Sequence, residues 1–264
     1  MSAMSTPRPR LLIHGASGRM GRSLLSLLAE STQLQLVAAV ANAPRADLGA
    51  LAVLRPAQIG QAPAFDVAID FSAPQALPGL AEACVARGAA LVSGTTGLDA
   101  DALAALSTAA LKVPVLWAAN FSLGVALLAA LSRMAASAVP DWDCEIIETH
   151  HRRKQDAPSG TALRLGEAVA AGRGQVLADV ARHGRAGSEA PRIEGEIGFH
   201  AMRGGDVVGD HSLLFAGEAE CIELSHRALS REVFARGALR AAVWLSGRTP
   251  GRYHIEDVLG LPHS

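Results

Sequence analysis

R-L-L-I-H-G-A-S-G-R-M-G, residues Arg10 to Gly21, is the stretch whose reading decides the fold. An apolar run of strand length, Arg10–His14, leads into a glycine-rich turn and then into an amphipathic segment reaching about Ala29. Strand, glycine turn and helix N-terminus in that order make an arrangement that holds a pyrophosphate on backbone N–H groups. The spacing is G-x-x-G-x-x-G, so Ser17 stands where the commoner fingerprint has its second glycine. Glycines alone mark only a tight turn; the flanking strand and helix favour dinucleotide binding.

Further strands are expected at Leu34–Val40, Phe65–Phe71, Ala89–Val92 and Val113–Trp117. Helices are expected from Pro74 to Arg87 with Gly88 as the stop, from an Asp99 cap to about Ala110, and over Leu123–Ala138. Alternating strands and helices imply an α/β chain with a Rossmann-like, doubly wound parallel sheet. Ligands bind beyond the carboxyl ends of such strands. Three successive ends carry small or hydroxyl residues: Asp70-Phe71-Ser72, Gly94-Thr95-Thr96 and Asn120-Phe121-Ser122. After Val40 stand Ala41 and Asn42, where many dinucleotide sites place a ribose-binding carboxylate. With Arg19 and Arg45 near in sequence, NADPH and NADH both stay open.

Beyond Ala138 the rhythm changes. Asp143–Thr149, Ile193–His200, Ser212–Ala216 and Glu220–Ser225 read as strands, with one convincing helix, Thr161–Ala171, among them. Arg173–Arg192 reads as a long loop. These runs suggest a second α+β domain with an open mixed sheet, largely antiparallel. The expected division is a disordered tail (1–9), a dinucleotide-binding domain (10–122 and 231–264), and a substrate-binding and oligomerisation domain (123–230).

That second domain holds E-I-I-E-T-H-H-R-R-K-Q-D-A-P-S-G-T-A, residues Glu145 to Ala162. An apolar run ends in five residues able to carry positive charge: His150, His151, Arg152, Arg153 and Lys154. Ser159 then offers an N-cap behind Pro158. A cationic loop beside a helix N-terminus is a receptor for a small anion.

Composition sets bounds. The 264 residues include 24 Lys and Arg against 25 Asp and Glu, net −1, which leaves no broad basic field for nucleic acid. No uninterrupted apolar run reaches a membrane span. The first nine residues lack the apolar centre of a signal peptide. Cys84, Cys144 and Cys221 have no C-x-x-C spacing and are expected as reduced, buried thiols in a cytoplasmic protein, with no metal site.

From about Leu11 to Leu261 the chain resembles the 4-hydroxy-tetrahydrodipicolinate (dihydrodipicolinate) reductase family. The motifs that carry this are G-A-S-G-R-M-G (15–21), D-F-S (70–72), G-T-T-G (94–97), A-A-N-F-S-L-G-V (118–125) and the 145–162 stretch. G-D-V-V-G-D-H (205–211) and R-A-L-S-R-E-V-F-A-R-G-A-L-R-A-A-V-W-L (227–245) also match. The resemblance implies NADPH- or NADH-dependent reduction of a cyclic dicarboxylate, with loss of water, in lysine and diaminopimelate biosynthesis. It places the cofactor over Gly15, Ala16, Ser17, Gly18, Arg19 and Met20, over Gly94, Thr95 and Thr96, and over Ala119, Asn120, Phe121 and Ser122. It gives His150 and Lys154 proton-transfer roles, and gives the substrate carboxylates to His151, Gly160 and Thr161. It also implies a homotetramer, and an open-edged sheet points independently to a homo-oligomer. Two departures stand out: Ala41 and Asn42 replace an acidic residue and Arg, and Arg153 replaces a frequent His.

Overall fold

β1 (Arg10–His14) is an interior strand of a parallel sheet of seven strands. In the structure, a computed structural model that describes residues 7–42 and 51–261, Leu11, Leu12, Ile13 and His14 are all buried. A strand covered on both faces requires this. The order is β3–β2–β1–β4–β5–β6, with β2 at Gln35–Val40, β3 at Ala52–Leu54, β4 at Val67–Asp70, β5 at Ala90–Ser93 and β6 at Pro114–Trp117. The chain's last strand, Gly251–Tyr253, pairs with β6. The sheet is doubly wound as expected, and the direction of winding reverses between β1 and β4.

One face is covered by α2 (Leu77–Arg87) and α3 (Ala100–Ala110), where Leu80, Cys84, Ala102 and Leu106 pack with Leu12, Ala68, Leu91 and Val115. The alternate residues Ile69, Val92 and Leu116 are equally buried and face the other way. On that side the C-terminal helix, Glu232–Leu245, packs on β4, β5 and β6 and against α1 (Arg19–Leu28). This unit takes the chain to Ser122 and resumes from Glu232 to Gly260.

β3 and Gly251–Tyr253 are missing from the sequence reading because three residues show no period. Pro74–Ala76 forms a 3-10 turn ahead of α2, and Gly88, at φ +64°, ends that helix as expected. Arg45 and residues 1–6 of the expected tail lie outside the described residues.

The second unit runs from Leu123 to Arg231. Its sheet has the order β11–β10–β7–β9–β8, with β7 at Asp143–His150, β8 at Ala181–His183, β9 at Ile197–Arg203, β10 at Asp210–Ala216 and β11 at Cys221–Arg227. β10 runs antiparallel to β7 and β11, while β9 runs parallel to β7 and β8. The sheet is therefore mixed, and less antiparallel than expected. Two helices, α5 (Gly160–Gly172) and α6 (Leu177–Val180), lie between β7 and β9, the kind of crossover that returns a chain in the same direction. Along β7 the residues Cys144, Ile146, Glu148 and His150 alternate inward. There α4 (Leu123–Ala138) and α5 cover them, through Leu128, Ala136, Leu165 and Val169.

Three features depart from what the sequence suggests. The long loop at Arg173–Arg192 contains α6 and β8, and Arg185 pairs with Glu145 and Glu196 to hold its end on the sheet. The next strand begins at Ile197, not Ile193, whose side chain is 64% exposed. Cys221 is exposed because it starts the edge strand β11; Cys84 and Cys144 are buried. Among the described residues no helix is long and apolar enough to cross a membrane.

Candidate active site

Gly15 turns at φ +83°, and a Cβ added there would lie 2.3 Å from the Phe71 carbonyl oxygen. A Cβ on Gly21 would lie 2.4 Å from the Gly15 oxygen, so backbone packing alone dictates both glycines. The N–H groups of Gly15 and Ala16 both donate to the Val40 carbonyl at 3.0 Å, tying the turn to β2. Gly18 is the N-cap of α1 and no side chain caps that end. The first-turn N–H groups, around Arg19 and Met20, thus have no side-chain acceptor, which suits a pyrophosphate. Ser17 fits because its position needs no positive φ; among the described residues none other than glycine has one.

The neighbouring strand ends meet on one buried carboxylate. Asp70, the last residue of β4, accepts from His14 Nδ1 at 2.8 Å, Ser72 Oγ at 2.6 Å, Ser93 Oγ at 2.8 Å and Thr95 Oγ1 at 2.7 Å. Burial would raise the Asp70 pKa, but His14 and the hydroxyl donors outweigh it and hold the group below the usual carboxylate range. Gly94 donates its N–H to the Asp70 carbonyl at 2.8 Å, and Phe71 fills the space a Gly94 Cβ would need. Thr95 and Phe121 are buried, Thr96 and Ala119 are exposed, and Phe121 meets Phe71 edge-on at 5.7 Å. Asn120 accepts from the Ser122 N–H at 2.8 Å, fixing the turn after β6. Residues 15–16, 70–72, 94–96 and 119–122 therefore sit at the carboxyl ends of the adjacent strands β1, β4, β5 and β6. They fit a nicotinamide dinucleotide.

In the second unit, His150 is the final residue of β7, not the start of a loop, and it is buried. Its Nδ1 lies 2.5 Å from Glu148 Oε2, and its ring meets that of His211 edge-on at 5.1 Å. Glu148 Oε1 accepts from Arg203 Nη2 and from the Ser159 N–H, each at 2.9 Å. Burial works against ionisation of Glu148, yet His150, Arg203 and Ser159 bring its pKa down to about 2. His211 is lowered to about 4 by burial and by His150. Its Nε2 is 3.2 Å from Ser159 Oγ. Glu148, His150 and His211 each bring one donor atom within 4.8 Å of the others.

The strand gives way to a turn in which Lys154 donates its N–H to the His151 carbonyl at 3.1 Å. Burial, then Arg231 and the neighbouring cations, lower the His151 pKa. Lys154 Nζ is held by both oxygens of Asp156 at 2.8 and 2.9 Å, and Arg153 pairs with Asp206 at 2.9 Å. The expected cationic loop is thus partly neutralised, by Asp156 within it and by Asp206 from the turn between β9 and β10. Behind it, Ser159 caps α5 through the Ala162 N–H at 3.2 Å, with Gly160 and Thr161 as the first helical residues. The Ala157–Pro158 peptide is cis.

Sequence reasoning named the residues of this stretch but missed His14, Glu148, Arg203 and His211. One signal was present: the period-two alternation of β7 puts Glu148 inward with His150. The others meet through strand register, with His211 opposite Glu148 and Arg203 opposite His150.

Comparison with known proteins agrees across the chain. The family described as "Dihydrodipicolinate reductase, N-terminus" matches residues 9–121, and "Dihydrodipicolinate reductase, C-terminus" matches residues 124–259. A protein of Xanthomonas campestris pv. campestris (strain B100) named 4-hydroxy-tetrahydrodipicolinate reductase is 48% identical over 258 residues, 97% of this chain and 100% of its own. One of the same name from Caulobacter vibrioides is 48% identical over 260 residues, covering 97% of this chain and 99% of that one. Among solved structures, a dipicolinate-bound dihydrodipicolinate reductase from Paenisporosarcina sp. TG-14 superposes with a TM-score of 0.76 at 23% identity, over 94% of this chain and 98% of that one. Matches to both halves, and relatives of nearly equal length, place the chain in the dihydrodipicolinate reductase family.

Proposed function

We propose that the chain reduces 4-hydroxy-tetrahydrodipicolinate to tetrahydrodipicolinate, with loss of water and at the expense of NADPH or NADH, in lysine and diaminopimelate biosynthesis. The observation that carries this is the 148–161 arrangement: a buried imidazole at a strand end, a lysine in the following turn, and a capped helix N-terminus behind both. The bound nicotinamide supplies the hydride. The protein must bind two carboxylates in a dry cleft and deliver a proton to the electron-rich ring that hydride addition leaves.

Gly160 and Thr161, at the start of α5, receive one carboxylate through N–H groups and the helix dipole. His151 receives a carboxylate beside them. Lys154 already holds a carboxylate, that of Asp156, which serves as a stand-in for its mode of contact with an acidic substrate. His150 and Lys154 are the two proton-transfer groups. On the nucleotide side, Gly15 to Met20 hold the pyrophosphate, while Gly94 to Thr96 and Ala119 to Ser122 line the nicotinamide end.

The working form is a homotetramer built on the second unit. Edge strand β11 leaves Ile222 and Cys221 exposed, and Met202 is exposed on β9, surface that another copy can cover. Three unpaired thiols fit a cytoplasmic setting. The experiment is a steady-state assay with the freshly generated cyclic substrate and each nicotinamide cofactor in turn. Substrate-dependent loss of reduced-nicotinamide absorbance supports the reading; a folded protein that binds NADPH but never oxidises it would refute it.

A further inference from the structure

Glu148 uses its two oxygens for different ends. Oε1 accepts from Arg203 and from the Ser159 N–H, joining β7, β9 and the start of α5. Oε2 is left for His150 Nδ1 alone, at 2.5 Å. Burying a carboxylate costs several kcal/mol unless it is paired and hydrogen-bonded. Arg203 and one backbone N–H would meet that need without an imidazole, and Cys144 and Ile146 show that this face of β7 otherwise takes apolar residues. The second oxygen is thus surplus to the fold and directed at a ring.

We propose that Glu148 is a positioning residue for the reduction: it holds His150 with Nδ1–H engaged, leaving Nε2 as the nitrogen that exchanges a proton with substrate. The role of His150 rests on the reductase reading, and that of Glu148 on geometry. Residues two apart on a strand share a face. Nδ1 is the ring nitrogen nearer the backbone, so a clamp from within the strand takes it and turns Nε2 outward. Gly209, directly before the β10 strand, has no side chain; a Cβ there would lie 3.0 Å from His150 Nε2, so this glycine keeps that side of the ring clear. In the step itself the proton on Nε2 passes to the ring left electron-rich by hydride addition, and solvent later restores it. Glu148 stays a carboxylate throughout and takes no proton. Its depressed pKa, about 2, agrees with this.

The test pairs kinetics with histidine-selective 15N NMR on the intact wild-type chain, Glu148→Gln and Glu148→Asp. In the wild type the His150 signal is expected to carry its proton on Nδ1, with the low-field shift of a carboxylate-bound N–H. Glu148→Gln is expected to lose that signature and to lower kcat about 100-fold, with KM for the nucleotide unchanged. Glu148→Asp keeps the charge but draws it back by one methylene, and an intermediate loss of about tenfold is expected; it also serves if Glu148→Gln does not fold. A wild-type His150 with bare Nδ1, or a folded Glu148→Gln retaining kcat within about threefold, overturns the proposal. Wild-type inactivity on the cyclic substrate would instead overturn the reductase reading, and the NMR arm would still decide whether Glu148 holds the ring.

Discussion

His211 is neutral at ordinary pH because burial and the neighbouring His150 both disfavour its proton. The unfolded chain takes up that proton below about 6.5, the folded chain only below about 4. Between these values the unfolded state binds more protons, so stability falls as pH drops through this window and is complete above it. A shift of this size corresponds to about 3 kcal/mol. Thermal melts should show a lower Tm near pH 5 than near pH 7, and His211→Gln should remove part of that fall; an unchanged pH slope in the variant would contradict this. Lys154 poses the complementary question. If it delivers or stabilises charge only in the transition state, Lys154→Ala lowers kcat by about 100-fold; a raised KM with kcat intact would reduce it to an anchor. His150, His151, Lys154, Gly160 and Thr161 could be named from the sequence because they fall in one contiguous stretch. Arg203 lies 55 residues from Glu148, and only strand register brings it there.

At the scale of elements, the C-terminal ends of β1, β4 and β5 are joined through Asp70. Removing its charge leaves His14 and three hydroxyls facing an amide that cannot accept from all of them. Asp70→Asn should cost about 3 kcal/mol of stability and raise the nucleotide KM, because the 72 and 94–96 turns lose their common anchor. A variant with wild-type Tm and nucleotide KM would show that the network is dispensable. Long periodic elements were legible: Leu123–Ala138 is a helix with the bounds its sequence suggests, and Asp99 caps α3 through the Ala102 N–H. Elements of three residues, β3, β8 and Gly251–Tyr253, were not, since their place is set by sheet edges and not by their own pattern. The direction of β9 was likewise hidden. It follows from the crossover through α5, which pattern alone does not orient.

For the whole molecule, a doubly wound unit and a mixed-sheet unit divide the labour that the reaction requires. The first fits a nicotinamide dinucleotide at its strand ends, and the second gathers imidazoles, a lysine and a helix N-terminus at the end of β7. Sedimentation equilibrium is expected to give the mass of four chains, and a monomer at working concentration would contradict the tetramer. The most direct measurement of the central claim follows the hydride itself. With cofactor deuterated at the transferable position of the nicotinamide, mass spectrometry of the tetrahydrodipicolinate formed should show one deuterium per molecule reduced. Unlabelled product, or cofactor oxidised without reduced product, would contradict the account.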